Sequence, residues 1–176
     1  DVALRVFGLG TIEAQVLSRI GFEVSGTLVE VKVDHGDRVV AGQVLARLNS
    51  TAQEARVAKA QAGVEAAEAQ QLRVAASLDR ATALAQQKHN VSGRRRELAA
   101  RGNTSAEGAE QADTEAAIAA ADLAVARADL SVARATLADA RATLLSEQAA
   151  LAKHSLVAPF DALVVSRLRE PGSALA

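Results

Sequence analysis

The feature that most constrains this chain is a leucine repeat. Leu123, Leu130, Leu137, Leu144 and Leu151 recur every seven residues. With Leu at heptad position a, position d holds Ala126, Ala133 and Ala140. Position e then holds Arg127, Arg134 and Arg141, and g holds Asp122 and Asp129. An apolar a/d stripe with charged flanks is the pattern of a helix that packs along a second helix. A matching stripe lies earlier in the same chain. Val57, Val64 and Leu78 repeat at one position, and Ala60, Ala67, Val74 and Ala81 at the other. Gln71 interrupts that run, and the phase is expected to slip by one residue, to Leu84, Val91 and Leu98. Gly93 falls in this second stretch, where helix propensity is weakest, so the helix pair is expected to be less regular there.

End signals divide the repeat into two helices. Residues 50–153 contain no proline. Ser50-x-x-Gln53 and Thr51-x-x-Glu54 both read as capping boxes, in which side chains satisfy the free backbone donors of a helix start. A helix from there runs to about Arg101. Gly102-Asn103 supplies a left-handed stop, and Thr104-x-x-Glu107 reads as a new capping box. The second helix runs to about Lys153, with Pro159 beyond its end. Each helix has roughly 48 residues and spans about 70 Å. The short connection makes them antiparallel neighbours, with the turn near residues 102–104.

Composition supports a thin packing. The chain has three Phe and no Trp, Tyr, Met or Cys. Aromatic residues carry much of the buried area of a deep core, so Ala and Leu here point to two closely approaching helices. The flanking blocks differ. In Gly26–Val33, residues Val29, Val31 and Val33 alternate with Glu30, Lys32 and Asp34, the pattern of a half-buried strand. His35-Gly36-Asp37 and Ala41-Gly42 read as turns. Val44, Ala46 and Leu48 share one side of a further strand. Val, Leu, Gly and Pro return after residue 154. The order is therefore β, long α insertion, β.

These β segments carry a resemblance. Gly26-x-Leu28-x-Glu30-Val31-x-Val33-x-x-Gly36-Asp37-x-Val39-x-x-Gly42-Gln43-x-Leu45-Ala46-x-Leu48 resembles the first half of a biotinyl/lipoyl-like domain. More particularly, it is similar to the half-motif of the periplasmic adaptor, or membrane fusion protein, family (HlyD-like) of efflux and secretion systems. Ala158-Pro159-Phe160-Asp161 resembles the start of the second half-motif. The resemblance implies a split lipoyl-like domain, residues 14–49 and 154–176, around a helical hairpin, residues 50–153. Gly10-Thr11 resembles a lead-in, residues 1–13, from an adjoining β-barrel. Ala162 stands where the family usually has Gly, and would strain a turn that required positive φ. Asp1 begins in what reads as mature sequence, with no signal peptide, and the chain is expected to be part of a longer protein.

The turn region adds a match. Arg94-x-x-x-Leu98-x-x-x-x-x-x-Ser105 has the spacing of the tip motif in adaptors that dock onto TolC-type outer-membrane channels. The resemblance implies that Arg94, Leu98 and Ser105 contact such a channel. It further implies an inner-membrane transporter partner of the RND or ABC type and self-association into a ring. The export of drugs or other small molecules, in the periplasm and in association with the inner membrane, follows as the expected function. The alternative is a non-transport coiled-coil scaffold whose β-domain binds another partner.

Several chemistries find no support. Lipoyl-like domains can carry a cofactor on a Lys in an exposed β-turn, but here the hairpin replaces that turn. No cofactor is therefore expected. His35, His89 and His154 are far apart in sequence, whereas a metal site needs converging ligands. Gly8-x-Gly10 lacks a third Gly and a following helix, so it is no dinucleotide loop. Glu13 and Glu23 show no sign of a shared pocket. Neither Ser nor Thr has a His/Asp constellation, so an enzyme is not expected. A formal net charge of −1, without a basic stripe and stacking aromatics, argues against nucleic acid. No apolar run is long enough to span a bilayer.

Overall fold

A computed structural model of the chain describes residue 7 and residues 16–175. The expected lead-in of residues 1–13 and Gly10-Thr11 lie outside the described residues, apart from Phe7. The elements in order are β1 (Gly26–Val31), β2 (Arg38–Val39), β3 (Val44–Leu48), α1 (Thr51–Ala100), α2 (Ala106–Ala152), β4 (Ser155–Val157), β5 (Ala162–Leu163) and β6 (Ala174–Leu175). The fold is a long antiparallel helical hairpin set into a split lipoyl-like β-domain. It resolves into two units, the β segments on either side and residues 49–154 between them.

In the β unit, antiparallel pairings give a sheet of order β4-β3-β1-β6 and a ribbon of β2 with β5. Leu28, Ala46 and Leu48 form one buried cluster. Val39, Leu45 and Ala158 form another. The expected face of β1 is corrected. Val29 is 58% exposed, while Leu28 is 3% exposed. The ladder shifts register between Leu28 and Glu30. That bulge spends one residue of the period-two alternation, so Leu28 and Val31 point inward and Val29 is expelled. A second shift lies between Val44 and Ala46 against β4. It lets Leu45 be buried in one cluster while Ala46 and Leu48 fill the other.

The two halves are stitched at the turns. Gly36 has φ +91° and Gly42 φ +82°, backbone that a side chain rarely adopts. The Gly36 N–H donates to Val164 O at 2.8 Å, and Val164 N–H to Asp37 O at 2.9 Å. The Gly42 N–H donates to Ala158 O at 2.7 Å, and Ala158 N–H to Gln43 O at 2.9 Å. Asp161 Oδ1 accepts the Ala41 N–H at 2.7 Å. Each first-half turn thus needs second-half backbone to satisfy it. Ala162 pairs with Val39 in β5, and no described non-glycine residue has positive φ. The feared strain at Ala162 does not arise, because the position is strand and not turn.

The helical unit keeps its heptad without a break. Ala109, Ala112, Ala119, Ala126, Leu130, Ala133 and Leu137 are buried along α2. On α1, Gln53, Val64, Ala67 and Ser92 are buried, with Val57, Ala60, Gln71, Val74, Leu78, Ala81, Ala85, Lys88 and Ala99 half-buried between and beyond them. The expected phase slip does not occur. Leu84 and Leu98 are each 42% exposed, beside the seam and not in it, and Val91 is half-buried at its edge, next to the buried Ser92. The regular repeat of α2 holds α1 in register, so polar residues stay in the seam where the sequence supplies no apolar ones. Gly93 does not interrupt α1. The described residues include no large side chain below 2% exposure, which fits a thin two-helix contact.

The helix starts also differ from the capping boxes. Ser50 makes no side-chain bond to a backbone N–H at its cap; Ser50 Oγ instead donates to Glu54 Oε1 at 2.6 Å. Asn49 Oδ1 accepts the Thr51 N–H at 3.1 Å. Gln53 is drawn across the seam, its Nε2 donating to Glu147 O at 3.0 Å and Oε2 at 2.6 Å. Satisfying a buried amide outweighs completing the box. The second start lies one residue later than expected. Ser105, in extended backbone at φ −72° and ψ 148°, is the cap in place of Thr104.

Candidate functional site: the hairpin tip

The turn between the helices is closed by backbone bonds. Gly102 has φ +74°. Its N–H donates to Ala99 O at 2.9 Å, and the Asn103 N–H donates to Leu98 O at 2.9 Å. This pair of bonds is a Schellman motif, which occupies the last free carbonyls of α1. Ser105 then opens α2, its Oγ accepting the Gly108 N–H at 3.1 Å. The residue three past the cap is Gly108, so the acidic half of a capping box is missing. A Cβ at Gly108 would lie 3.2 Å from Ser105 Oγ and 3.4 Å from Arg95 Nη1. Glycine there makes room for the Arg95 guanidinium at the start of α2.

The three consecutive arginines have three different roles. Arg95 lies against Gly108. Arg96 Nε donates to Asp113 Oδ1 and Oδ2, both at 2.8 Å. Arg94 is exposed and makes no hydrogen bond or ion pair with the described residues. Leu98 follows four positions later, on the same helix face, and is also exposed. Arg94 and Leu98 thus present a cation and an isobutyl group side by side. Ser105 is close in sequence to the turn but its oxygen is engaged in capping.

Sequence reasoning missed the polar ladder behind the tip. Lys88 Nζ donates to Glu115 Oε2 at 2.7 Å, and Ser92 Oγ to Asp113 Oδ1 at 2.5 Å. The Ser92 hydroxyl, then the Arg96 guanidinium, hold the Asp113 carboxyl below its usual range. The Lys88 ammonium does the same for Glu115. Hydrogen bonds to the charged form explain both directions. The signal was present in the sequence. Counting the strict heptad onward from Val57 places Lys88 and Ser92 in the seam.

The histidines do not converge. His35 Nδ1 meets Val165 O, His154 Nδ1 meets Ala150 O at 3.0 Å, and His89 is exposed on α1. No group of three metal-ligating side chains gathers among the described residues. No described helix is long and apolar enough to cross a membrane.

No protein-family model and no curated protein matches the sequence. Solved structures do match. MacA from Actinobacillus actinomycetemcomitans aligns over 93% of this chain and 46% of its own, at 22% identity and a TM-score of 0.71. A MacA–MexA chimera carrying the Pseudomonas aeruginosa MexA α-hairpin domain aligns over 89% of this chain and 41% of its own, at 18% identity and a TM-score of 0.53. The membrane fusion protein Spr0693 from Streptococcus pneumoniae R6 aligns over 86% of this chain and 54% of its own, at 20% identity and a TM-score of 0.52. The chain therefore has the fold of membrane fusion proteins, and it spans about half or less of the length of these matched structures.

Proposed function

We propose that this chain is the hairpin and lipoyl-like portion of a periplasmic adaptor, which links an inner-membrane transporter to a TolC-type outer-membrane channel. The hairpin acts as a spacer of about 70 Å that carries a docking tip, and the exported small molecule passes through the assembly and undergoes no reaction on the chain. Arg94 and Leu98 make the docking contact, with Ser105 shaping the turn beside them. The base, residues 14–49 with 154–176, arranges copies into a ring around the export path. The observation that carries this reading is the division of labour among the arginines. Arg96 is bound to Asp113 and Arg95 lies over Gly108, while Arg94, exposed like its two neighbours, makes no bond inside the hairpin among the described residues and lies beside Leu98. A free guanidinium can form bidentate contacts with carboxylates or carbonyls of a partner, and an adjacent apolar side chain adds area to bury. The fold match supports the same reading, because one matched chain, Spr0693, is a membrane fusion protein by name.

The test is export in cells together with cross-linking from the tip to the channel. Arg94→Glu is expected to abolish both, while the equally charge-reversing Arg80→Glu, well down α1, leaves docking intact. Full export and cross-linking in the Arg94→Glu protein would refute the docking role.

A further inference from the structure

Toward the turn, α1 carries a second heptad that α2 does not use. Leu84, Val91 and Leu98 recur every seven residues. The seam runs one position away from them, through Ala85, Ser92 and Ala99. Leu84 and Leu98 are each 42% exposed, and Val91 is half-buried. A seven-residue repeat drifts only about 20° per heptad on a straight helix, so the three side chains form one row, about 21 Å long. Arg95, one turn past Val91, lies over Gly108, which brings no side chain to cover the row there. Singly exposed leucines are ordinary. A row with the period of a seam, lying outside the seam, is a surface on which a further helix packs.

The charges beside the row define the chemistry of that helix. Stepping along its outward side by sevens gives Gln87, Arg94 and Arg101, all exposed. The side chains of Arg94 and Arg101 make no hydrogen bond or ion pair with the described residues. From residue 80 to residue 101 the sequence has six Lys or Arg and one acid, Glu97. Lys88 and Arg96 are bound to Glu115 and Asp113 of α2, so the cations left over are those that border the row. The other acids near the turn, Glu107 and Glu110, lie at the outward heptad positions f and b of α2. An apolar row edged by unpaired arginines is complemented by an apolar row edged by carboxylates.

We infer that the docking contact runs down α1 from the turn to Leu84, and that the partner meets it with a helix whose own apolar heptad row is flanked by acidic side chains. Leu84 and Val91 are then docking residues alongside Leu98. Arg101 joins Arg94 as a cation bound by the partner's carboxylates. Arg80, one turn past Leu84, lies beyond the contact. The inference rests on the docking reading above and extends it from a point to a strip.

Cross-linking tests the extent of the strip. The chain has no cysteine, so Leu84→Cys, Leu98→Cys and Leu72→Cys each place a single photo-cross-linker on the intact protein. Leu72 is 72% exposed on α1 and outside the row. With a purified TolC-type channel, positions 84 and 98 are expected to link to a helical segment with acidic flanks, and position 72 is not. Leu84→Glu and Arg101→Glu should each weaken channel binding at least about tenfold, with helix content unchanged by circular dichroism. Added salt should weaken wild-type binding. Links from position 98 without links from 84, links from 84 to a second copy of this chain in place of the channel, or wild-type affinity in the Leu84→Glu protein would overturn the strip. Arg94→Glu separates this failure from failure of the docking reading. If Leu84→Glu binds normally while Arg94→Glu does not, docking stands at the tip alone; if both bind normally, docking itself is refuted.

Discussion

The two ends of the hairpin are built from the same heptad with different chemistry. Toward the β-domain, Val64, Ala67 and Leu137 pack with Ala140 and Leu144. Toward the tip, the seam holds Lys88 and Ser92, bonded to Glu115 and Asp113. Apolar burial gives stability that does not depend on ionisation and is not screened by salt, whereas partly exposed ion pairs contribute little and are screened. The difference teaches that the repeat sets where the helices touch, while the residues at each level set how firmly. The base end is a clamp, and the tip end is held by specific but weak polar bonds.

The largest effect is expected at the clamp. Leu137 is 7% exposed, and Leu137→Ala should cost about 2–4 kcal/mol in denaturant unfolding. Ser92→Ala should cost less, about 1 kcal/mol, because Ser92 is buried at 2% exposure but its partner Asp113 keeps the bonds from Arg96. If the two variants were equally destabilised, the contrast between the ends would fail.

The turn comes next. Gly102 at φ +74° has open space around a would-be Cβ, so the penalty is conformational alone. Gly102→Ala should cost about 1 kcal/mol, read from the midpoint of thermal unfolding. An Ala variant as stable as wild type would show that the turn relaxes to another geometry.

Acid should sharpen the contrast. The folded Asp113 and Glu115 carboxyls lie below their usual pKa range, so their contribution is present at neutral pH. It is lost as pH falls through the ordinary carboxylate range, about 4, toward the folded values. Amide hydrogen exchange between residues 85 and 115 should therefore speed up on acidification before exchange around Val64 and Leu137 does. Uniform acceleration along both helices would contradict the polar ladder.

Much of this was readable before the fold was seen, and the failures have one physical source. The Leu and Ala rows of α2, the stop at Gly102 and the three segments β, α and β came directly from periodicity and turn residues. The errors arose where a neighbouring element overrode a local pattern. The bulge beside Leu28 reversed the face of Val29. Glu147 drew Gln53 away from its capping box. The unbroken repeat of α2 held Lys88 and Ser92 in the seam against the local preference of Leu84, Val91 and Leu98. At the tip, the spacing of Arg94, Leu98 and Ser105 was legible, but the engagement of Arg95 with Gly108 and of Arg96 with Asp113 was not. Those contacts join residues of different helices, and no window of sequence along one helix contains them.

The most direct measurement is binding of the intact protein to a purified TolC-type channel, comparing Arg94→Glu with Arg95→Glu and Arg96→Glu. Arg94→Glu should lose binding by at least about tenfold with unchanged helix content and unchanged exchange near Asp113. Arg96→Glu should instead speed exchange near Asp113. Wild-type affinity in the Arg94→Glu protein would contradict the assignment of the tip.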